Sequence, residues 1–506
     1  MAKGKNQVLE RNPLFHPLPL ELSENLRRIN PWWEGKASPL IPAYRRWPFA
    51  RLTHLLDRGI TPATVLRGPR RVGKTVLLRQ VIETLLKNHV APSRILYAEF
   101  DELPTIRELR EPVLAISRWF EDQVLRKSFN ACAREKSPAY LFFDEVQNLD
   151  RWAEQIKHLV DNHSVRVVVT GSSALRMESG RDSLAGRITT LDLGPLLLRE
   201  IAELRFGGML QPMWGDNGLD AIASSVFWHD VCERGRQQAQ QRHKAFHAFS
   251  ERGAYPDAQQ RHEEPWSEIA GYLNETVIKR AIQHDLRMGS RGLKRDEKLL
   301  EEVFRLCCRY AGQCPGLSIF VPEIQQVYTG NVGPQRILSY LRFLDGTLLL
   351  RLIEPAELRL KRKRGRPKIC LCDHALRAAW LQEFVPLDPE GLLAAPHLSD
   401  LAGHIAESVL GYFLASIPNL GLAHFPERGI EPEVDFILTV GMRRIPIEVK
   451  YRKHVDPHDD TRGLRAFIEK SVYNAPFGLL VTLEDDVQVN DPRIIAVPLS
   501  TFLWIR

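Results

Sequence analysis

The sequence predicts an α/β chain built on a parallel sheet, and three observations predict it. Residues 64–86 run as a short apolar strand, a glycine loop and an amphipathic helix. Residues 141–145, Leu-Phe-Phe-Asp-Glu, read as a buried strand ending in two acids. The runs 94–100 and 165–169 supply two further strands. Open α/β sheets carry their chemistry at the carboxyl ends of the strands, which is where the loop and the two acids fall.

The loop at 68–75 reads Gly-Pro-Arg-Arg-Val-Gly-Lys-Thr, a full Walker A phosphate loop. Gly68 and Gly73 let the backbone turn so that the N–H groups of the stretch Gly68, Pro69, Arg70, Arg71, Val72 and Gly73 can face phosphates, with Pro69 contributing none. Lys74 reaches the outer phosphates and Thr75 offers a hydroxyl to a metal ion. Val76 continues into the helix whose N-terminal dipole favours the same anion. ATP and Mg2+ are the cofactors this pattern predicts. Asp144, at the end of its strand, is expected to hold magnesium through water. Glu145 is the expected base that orients the attacking water, because phosphoryl transfer depends on positioning and charge rather than covalent chemistry. A solvated acidic turn is the plain alternative for an Asp-Glu pair.

The run 165–169 ends in Thr170-Gly171-Ser172-Ser173, and the order of strands matches additional-strand ATPases. With Asn30-Pro31-Trp32-Trp33, the Walker loop, Asp144-Glu145-Val146-Gln147 and Ser183-Leu184-Ala185-Gly186-Arg187, these residues resemble bacterial and archaeal AAA-type ATPases with a C-terminal nuclease-like domain. The resemblance covers nearly the whole chain. It implies that Thr170 or Ser172 senses the γ-phosphate, although the same tetrapeptide also suits a turn. It also implies that Arg187 is an arginine finger offered to a neighbouring subunit, although an ordinary surface arginine fits the same place. A homo-oligomer, with a hexamer among the arrangements, follows from that role.

With 506 residues and 44% hydrophobic content the chain is long enough for several cored domains. No apolar stretch has membrane-spanning length and the first residues lack the apolar core of a signal peptide, so a soluble cytoplasmic protein is expected, with no membrane partner. The seven cysteines show no Cys-x-x-Cys spacing, which predicts reduced and mostly buried thiols. The sixteen histidines are dispersed, and the polar helical face at 237–243 offers no metal spacing.

The net charge of +7 matters less than its distribution. Lys361, Arg362, Lys363, Arg364, Arg366 and Lys368 place six cations in eight residues around an Arg-Gly-Arg-Pro core. That core resembles an AT-hook, which lays arginines into the narrow minor groove of A·T-rich DNA. Helices expected at 298–312, 322–327 and 333–344, then strands at 347–353 and 369–372, look like a winged helix with the basic run at the hairpin tip. Arg336 and Arg342 on the third helix join the candidate DNA contacts, with duplex or branched DNA as the expected partner. A solvated charged hairpin, or an acidic protein partner, is the alternative.

Toward the C-terminus, Glu433-Val434-Asp435 and Ile447-Glu448-Val449-Lys450 read as two strands carrying an acid and then Glu-x-Lys. Asp435 and Glu448 are candidate metal ligands, and Lys450, two residues on, shares the face of Glu448. There it would stabilise a pentavalent phosphate or help activate water. Glu407, on a helical run, would complete the metal shell. The arrangement looks like a PD-(D/E)XK nuclease core, from which Glu433-Val434-Asp435 departs where Pro-Asp is usual. A plain salt-bridge pair, or a nuclease fold without activity, accommodates the same residues.

These landmarks divide the chain into an N-terminal arm (1–48), an AAA-type ATPase core (49–204), a helical lid (205–290), a winged helix with a basic wing (291–385) and a nuclease-like α/β domain (386–506). Trp32 and Trp33 are expected to pack on the ATPase core or a neighbouring subunit. The expected function is ATP-driven remodelling, clamping or translocation of DNA, with metal-dependent cleavage as a further activity. The alternative is an ATP-switched regulatory factor whose nuclease-like domain only docks.

Overall fold

The structure is a computed structural model that describes residues 18–37, 39–101, 106, 109–172, 184–208, 210–215, 218–287, 296–328, 330, 332–356, 365–427 and 432–506. It divides into two compact units. The first comprises the described residues within Met1–Leu66, Thr75–Gly171 and Arg176–Leu191, and the second those within Arg67–Lys74, Ser172–Leu175 and Asp192–Arg506.

Five strands form the first sheet: β1 (Ala63–Arg67), β2 (Ile95–Glu99), β3 (Tyr140–Asp144), β4 (Arg166–Gly171) and β5 (Ile188–Asp192), in the order β2-β3-β4-β1-β5. β2 and β3 pair in parallel with Glu99 opposite Asp144, and β3 and β4 in parallel with Phe143 opposite Val169. Such strands are covered on both faces, which explains why they read as continuous apolar runs instead of alternating. Leu96, Ala98, Leu141, Phe143, Val167 and Val169 lie in one core with Ile116, Phe120, Ile156 and Leu159 from the flanking helices.

β2 is an edge strand, and the N-terminal arm covers it. The Asn30 side chain accepts from the Tyr97 N–H at 2.8 Å and donates to the Tyr97 carbonyl at 2.8 Å, so one amide imitates a neighbouring strand. Both indoles of Trp32 and Trp33 donate to the Ile95 carbonyl, at 3.1 and 2.8 Å. Trp33 also stacks on Phe120 at 5.8 Å between ring centroids. The tryptophan pair therefore packs on the core of its own unit, and edge groups that would otherwise invite another strand are satisfied.

The second unit begins with helices Leu198–Phe206, Ser225–Gln237, Ala239–Arg252 and Trp266–Leu273. Helices Glu297–Arg309, Leu317–Val327 and Pro334–Gly346 follow, and then an antiparallel ladder of β6 (Leu350–Ile353) and β7 (Lys368–Leu371), with Ile353 opposite Lys368. The middle helix starts five residues earlier than expected and keeps Pro322 inside it. Phe320 and Ile324, four apart on one face, are both buried, and that packing outweighs the one backbone bond the proline removes. β6 is shorter than expected because Leu348 takes φ +64° and breaks the extended run.

The helix Ser399–Ala415 precedes the second sheet. That sheet holds β8 (Gly421–Phe425), β9 (Val434–Val440), β10 (Arg443–Lys450), β11 (Gly478–Thr482) and β12 (Ile494–Pro498) in the order β12-β11-β10-β9-β8. β8, β9 and β10 are antiparallel neighbours, while β10, β11 and β12 run parallel.

Candidate functional site

The phosphate loop carries its own internal constraints. A Cβ on Gly68 would lie 2.0 Å from the Leu193 carbonyl oxygen, so only glycine fits there. Gly73 takes φ +93° with nothing within 4 Å of a built Cβ, which leaves an open backbone cradle. Lys74 is buried, and its ammonium donates to the Gly68 and Pro69 carbonyls at 3.0 Å each, folded back across its own loop. Lys74 and Thr75 are consecutive residues opening the helix Lys74–Lys87, so the loop is joined to the acid half by one peptide bond.

The acid half is built around Asp144, the fully buried last residue of β3. Three hydroxyls converge on it. Thr75 Oγ1 donates to Oδ2 at 2.7 Å, the Tyr97 phenol donates to Oδ2 at 2.9 Å, and Thr170 Oγ1 donates to Oδ1. Thr170 in turn accepts from the Glu145 N–H at 3.0 Å. Glu145 itself sits at φ +55°, ψ +42°, a left-handed conformation uncommon for a non-glycine residue, and its carboxylate accepts from the Gln147 amide. Burial and then the Glu145 charge push the Asp144 carboxyl above its usual range, against the pull of the three hydroxyls. Neutral donors orient this carboxylate without supplying a counter-charge, which leaves that role to an external cation. Thr75 Oγ1 and Asp144 Oδ2 lie 2.7 Å apart, and they would serve one Mg2+ together, Thr75 through its hydroxyl and Asp144 through water. The donor set fits Mg2+.

Of the two expected sensor candidates, Thr170 reaches the acid centre with its hydroxyl on Asp144. Arg187 lies just before β5, more than a third exposed, and its guanidinium pairs with Asp161 and donates to the Ala185 carbonyl at 3.2 Å.

The C-terminal candidates also converge, but not as a metal shell. Lys368 Nζ donates to Glu407 Oε2 at 2.8 Å and to Asp435 Oδ1 at 2.9 Å, and lies 4.8 Å from the Phe436 ring centre. Asp435 Oδ2 accepts from the Val449 N–H at 2.9 Å, and Lys450 Nζ donates to Glu448 Oε1 at 2.7 Å. Glu448 Oε2 is buried without a hydrogen-bond partner. Burial works against the Lys368 ammonium, but the Asp435 and Glu407 carboxylates outweigh it and hold its pKa well above the usual value. For Asp435, burial is overcome by Lys368 and the Val449 amide, which hold its carboxyl below the usual range. Burial and the Asp435 charge push Glu407 and Glu448 up to about 8 each. A divalent ion does not fit beside Glu407 and Asp435 while the ammonium is there.

This corrects one expectation. Lys368 is 2% exposed and saturated by carboxylates, so it is not a phosphate contact. Its strand turns it inward, where β-strand alternation hides one side chain in two. Arg366 and Arg342 are exposed, while Arg336 is half-buried with its guanidinium 6.0 Å from the Tyr340 ring centre. Lys361, Arg362, Lys363 and Arg364 lie outside the described residues.

Sequence reasoning missed Tyr97 and assigned Lys368 to DNA instead of the acid cluster; each meets its aspartate only across strands. It also missed a group of possible ligand atoms from Cys314, His424 and Glu433, all within 4.8 Å of one another. No local spacing signals such a trio, because its members come from three separate segments.

Residues 61–202 match the family described as an AAA domain, and residues 402–502 match one described as a domain of unknown function, DUF4143. An uncharacterised protein of Haemophilus influenzae is 29% identical over 143 residues, covering 27% of this chain and 32% of that protein. The uncharacterised protein MJ1637 of Methanocaldococcus jannaschii is 30% identical over 137 residues, covering 27% of this chain and 26% of its own. The chain thus spans well under two thirds of either relative's length. Among solved structures, a Walker-type ATPase of Pyrococcus abyssi overlays with a TM-score of 0.37 at 16% identity, covering 68% of this chain and 99% of that one. The Pif1 helicase from Candida albicans overlays with a TM-score of 0.22 at 14% identity, covering 38% and 48%. Scores this low carry no inference about activity. Among the described residues no helix is long and apolar enough to cross a membrane. The phosphate loop, the acid-ended third strand and the family match over residues 61–202 together make this stretch an AAA-type P-loop ATPase domain.

Proposed function

We propose that the chain hydrolyses Mg-ATP and uses the cycle to clamp or move DNA. The observation that carries the hydrolysis is the triad of hydroxyls on Asp144, which holds a buried carboxylate in place and leaves its charge uncompensated. Thr75 and Asp144 would hold Mg2+, which would neutralise phosphate charge. Lys74 leaves its loop carbonyls for the outer phosphates. Glu145, whose backbone is pinned through Thr170, orients the attacking water, and Gln147 steadies its carboxylate. Arg187, exchanging Asp161 for a neighbour's nucleotide, supplies the transition-state cation in a homo-oligomer.

The DNA reading rests on the three helices and ladder at 297–371, whose order is that of a winged helix, with Arg342 exposed on the third helix and Arg366 exposed within the basic run. The finer domain limits near 204, 290 and 385, the nuclease-like character of the last segment and a cytoplasmic location belong to the same proposal. The seven free and mostly buried cysteines support a reducing compartment.

The test is ATP turnover of the full chain with and without duplex or branched DNA. Lys74→Ala should abolish nucleotide binding. Glu145→Gln should keep binding and lose roughly 10²- to 10⁴-fold in turnover. Full activity in Glu145→Gln would end the assignment of the base, and indifference to every DNA at low salt would end the coupling. A second reading, an ATP-switched factor with a docking C-terminal domain, is favoured by the lysine in the acid cluster.

A further inference from the structure

The acids Glu407, Asp435 and Glu448 come from one helix and two strands, whereas the cation between the first two comes from the two-stranded ladder that precedes them. β7 is held rigidly where it delivers that cation. The Ile369 carbonyl accepts from the Gly312 N–H at 2.7 Å, and the Ile369 N–H donates to the Gln313 carbonyl at 3.0 Å. The Leu371 N–H donates to Ser408 Oγ at 2.8 Å. Helix Ser399–Ala415 approaches so closely that a Cβ on Gly411 would stand 2.3 Å from Cys370 Sγ and 2.9 Å from the Phe436 ring. The Lys368 side chain therefore has one direction to go, and two carboxylates meet it there.

We propose that Lys368 is the resident cation of this cluster: Glu407, Asp435 and Glu448 form a latent divalent-cation site that the chain fills with its own ammonium. The ammonium bonds at 2.8 and 2.9 Å occupy the space between Glu407 Oε2 and Asp435 Oδ1 that a divalent ion would need. Two like charges cannot share that gap in a buried setting, where Coulomb repulsion is strong. Removing the ammonium leaves a carboxylate cluster with one oxygen, Glu448 Oε2, already without a partner. In the wild-type chain the cluster joins the ladder to the second sheet, and no metal-dependent phosphodiester cleavage is expected from it. The inference stands apart from the ATPase reading, since it concerns metal binding at residues that ATP does not need.

The experiment is Mn2+ titration of the nucleotide-free full chain, followed by electron paramagnetic resonance, in the wild type, Asp435→Asn, Lys368→Ala and Lys368→Met, the last keeping most of the aliphatic packing. The wild type and Asp435→Asn should bind Mn2+ alike. Lys368→Ala and Lys368→Met should each gain about one further Mn2+ per chain, lost again when Asp435→Asn is added. Wild-type Mn2+ binding that disappears in Asp435→Asn overturns the proposal, as does a folded Lys368 variant that gains none. If thermal melts show both Lys368 variants unfolded, the wild type against Asp435→Asn still decides: equal Mn2+ binding supports the resident ammonium and unequal binding refutes it. ATP turnover by Lys368→Met should stay at the wild-type rate, so a failure here is separable from a failure of the ATPase reading.

Discussion

Asp144 and Asp435 are both buried aspartates on sheet strands, and their neighbours differ in charge. Asp144 is surrounded by three neutral hydroxyls, Asp435 by an ammonium and a backbone amide with a second lysine nearby. Hydroxyls fix the direction of a carboxylate without cancelling its charge, and the site stays electrostatically open to an incoming cation. An ammonium does both, and the site is closed. The contrast teaches that a strand-end acid is not a metal site by virtue of its position. What matters is whether the protein has already supplied the counter-charge.

The largest expected effect that sharpens this comparison is on stability. Removing one partner of a buried ion pair costs about 3–5 kcal/mol, whereas losing charge from an acid held by neutral hydroxyls should cost about 1–3 kcal/mol. Asp435→Asn should therefore destabilise the full chain more than Asp144→Asn in denaturant unfolding. Equal losses would break the comparison.

Thr170→Val tests the open site from the other side. It removes the donor that orients Asp144 and the acceptor for the Glu145 N–H, so turnover should fall roughly tenfold, about 1.4 kcal/mol of transition-state stabilisation. Unchanged steady-state kinetics would mean that the hydroxyl only fills space.

pH separates the clusters as well. Burial and the Asp435 charge push Glu407 and Glu448 up to about 8 in the folded chain from an ordinary value of 4.5, so the folded state binds more protons than the unfolded one between those limits. Unfolding free energy should then fall as pH rises from about 4.5 to about 8 and level off above. Glu407→Gln with Glu448→Gln should flatten that slope, and a slope that persists unchanged would place its origin elsewhere.

The smallest effect concerns the basic run. With Lys368 committed to the acid cluster, at most five of its six cations remain for phosphates, and duplex affinity should fall with salt with a log–log slope near −4.5, from about −0.9 per contact. Arg364→Ala with Arg366→Ala should reduce the slope by about 2. A slope that shrinks by about 0.9 in Lys368→Met would return Lys368 to the DNA.

The strands of the first sheet were legible because each is a continuous apolar run, and the phosphate loop because its chemistry is local: two glycines, a lysine and a threonine in consecutive positions. Asp144 was legible as the acid that ends its strand. Its partners Tyr97 and Thr170 sit on the neighbouring strands β2 and β4, and only the sheet order brings them to one carboxylate. The start of the helix around Pro322 is not legible, because the burial of Phe320 is a tertiary fact that no propensity reports.

What the sequence by itself determined is the machinery confined to one turn or one strand: the glycine cradle, the Lys74 and Thr75 pair, the Asp144 and Glu145 pair, and the spacing of Glu448 and Lys450. What only the tertiary structure decided is the counter-charge of each acid. Lys368 and Asp435 lie 67 residues apart, and in the sequence Lys368 reads as one more member of a basic run. Short-range patterns specify which groups are offered, but electrostatic pairing acts through space. A lysine that strand alternation and close helix packing turn inward becomes a counter-ion, while Arg366, two residues before it, stays exposed.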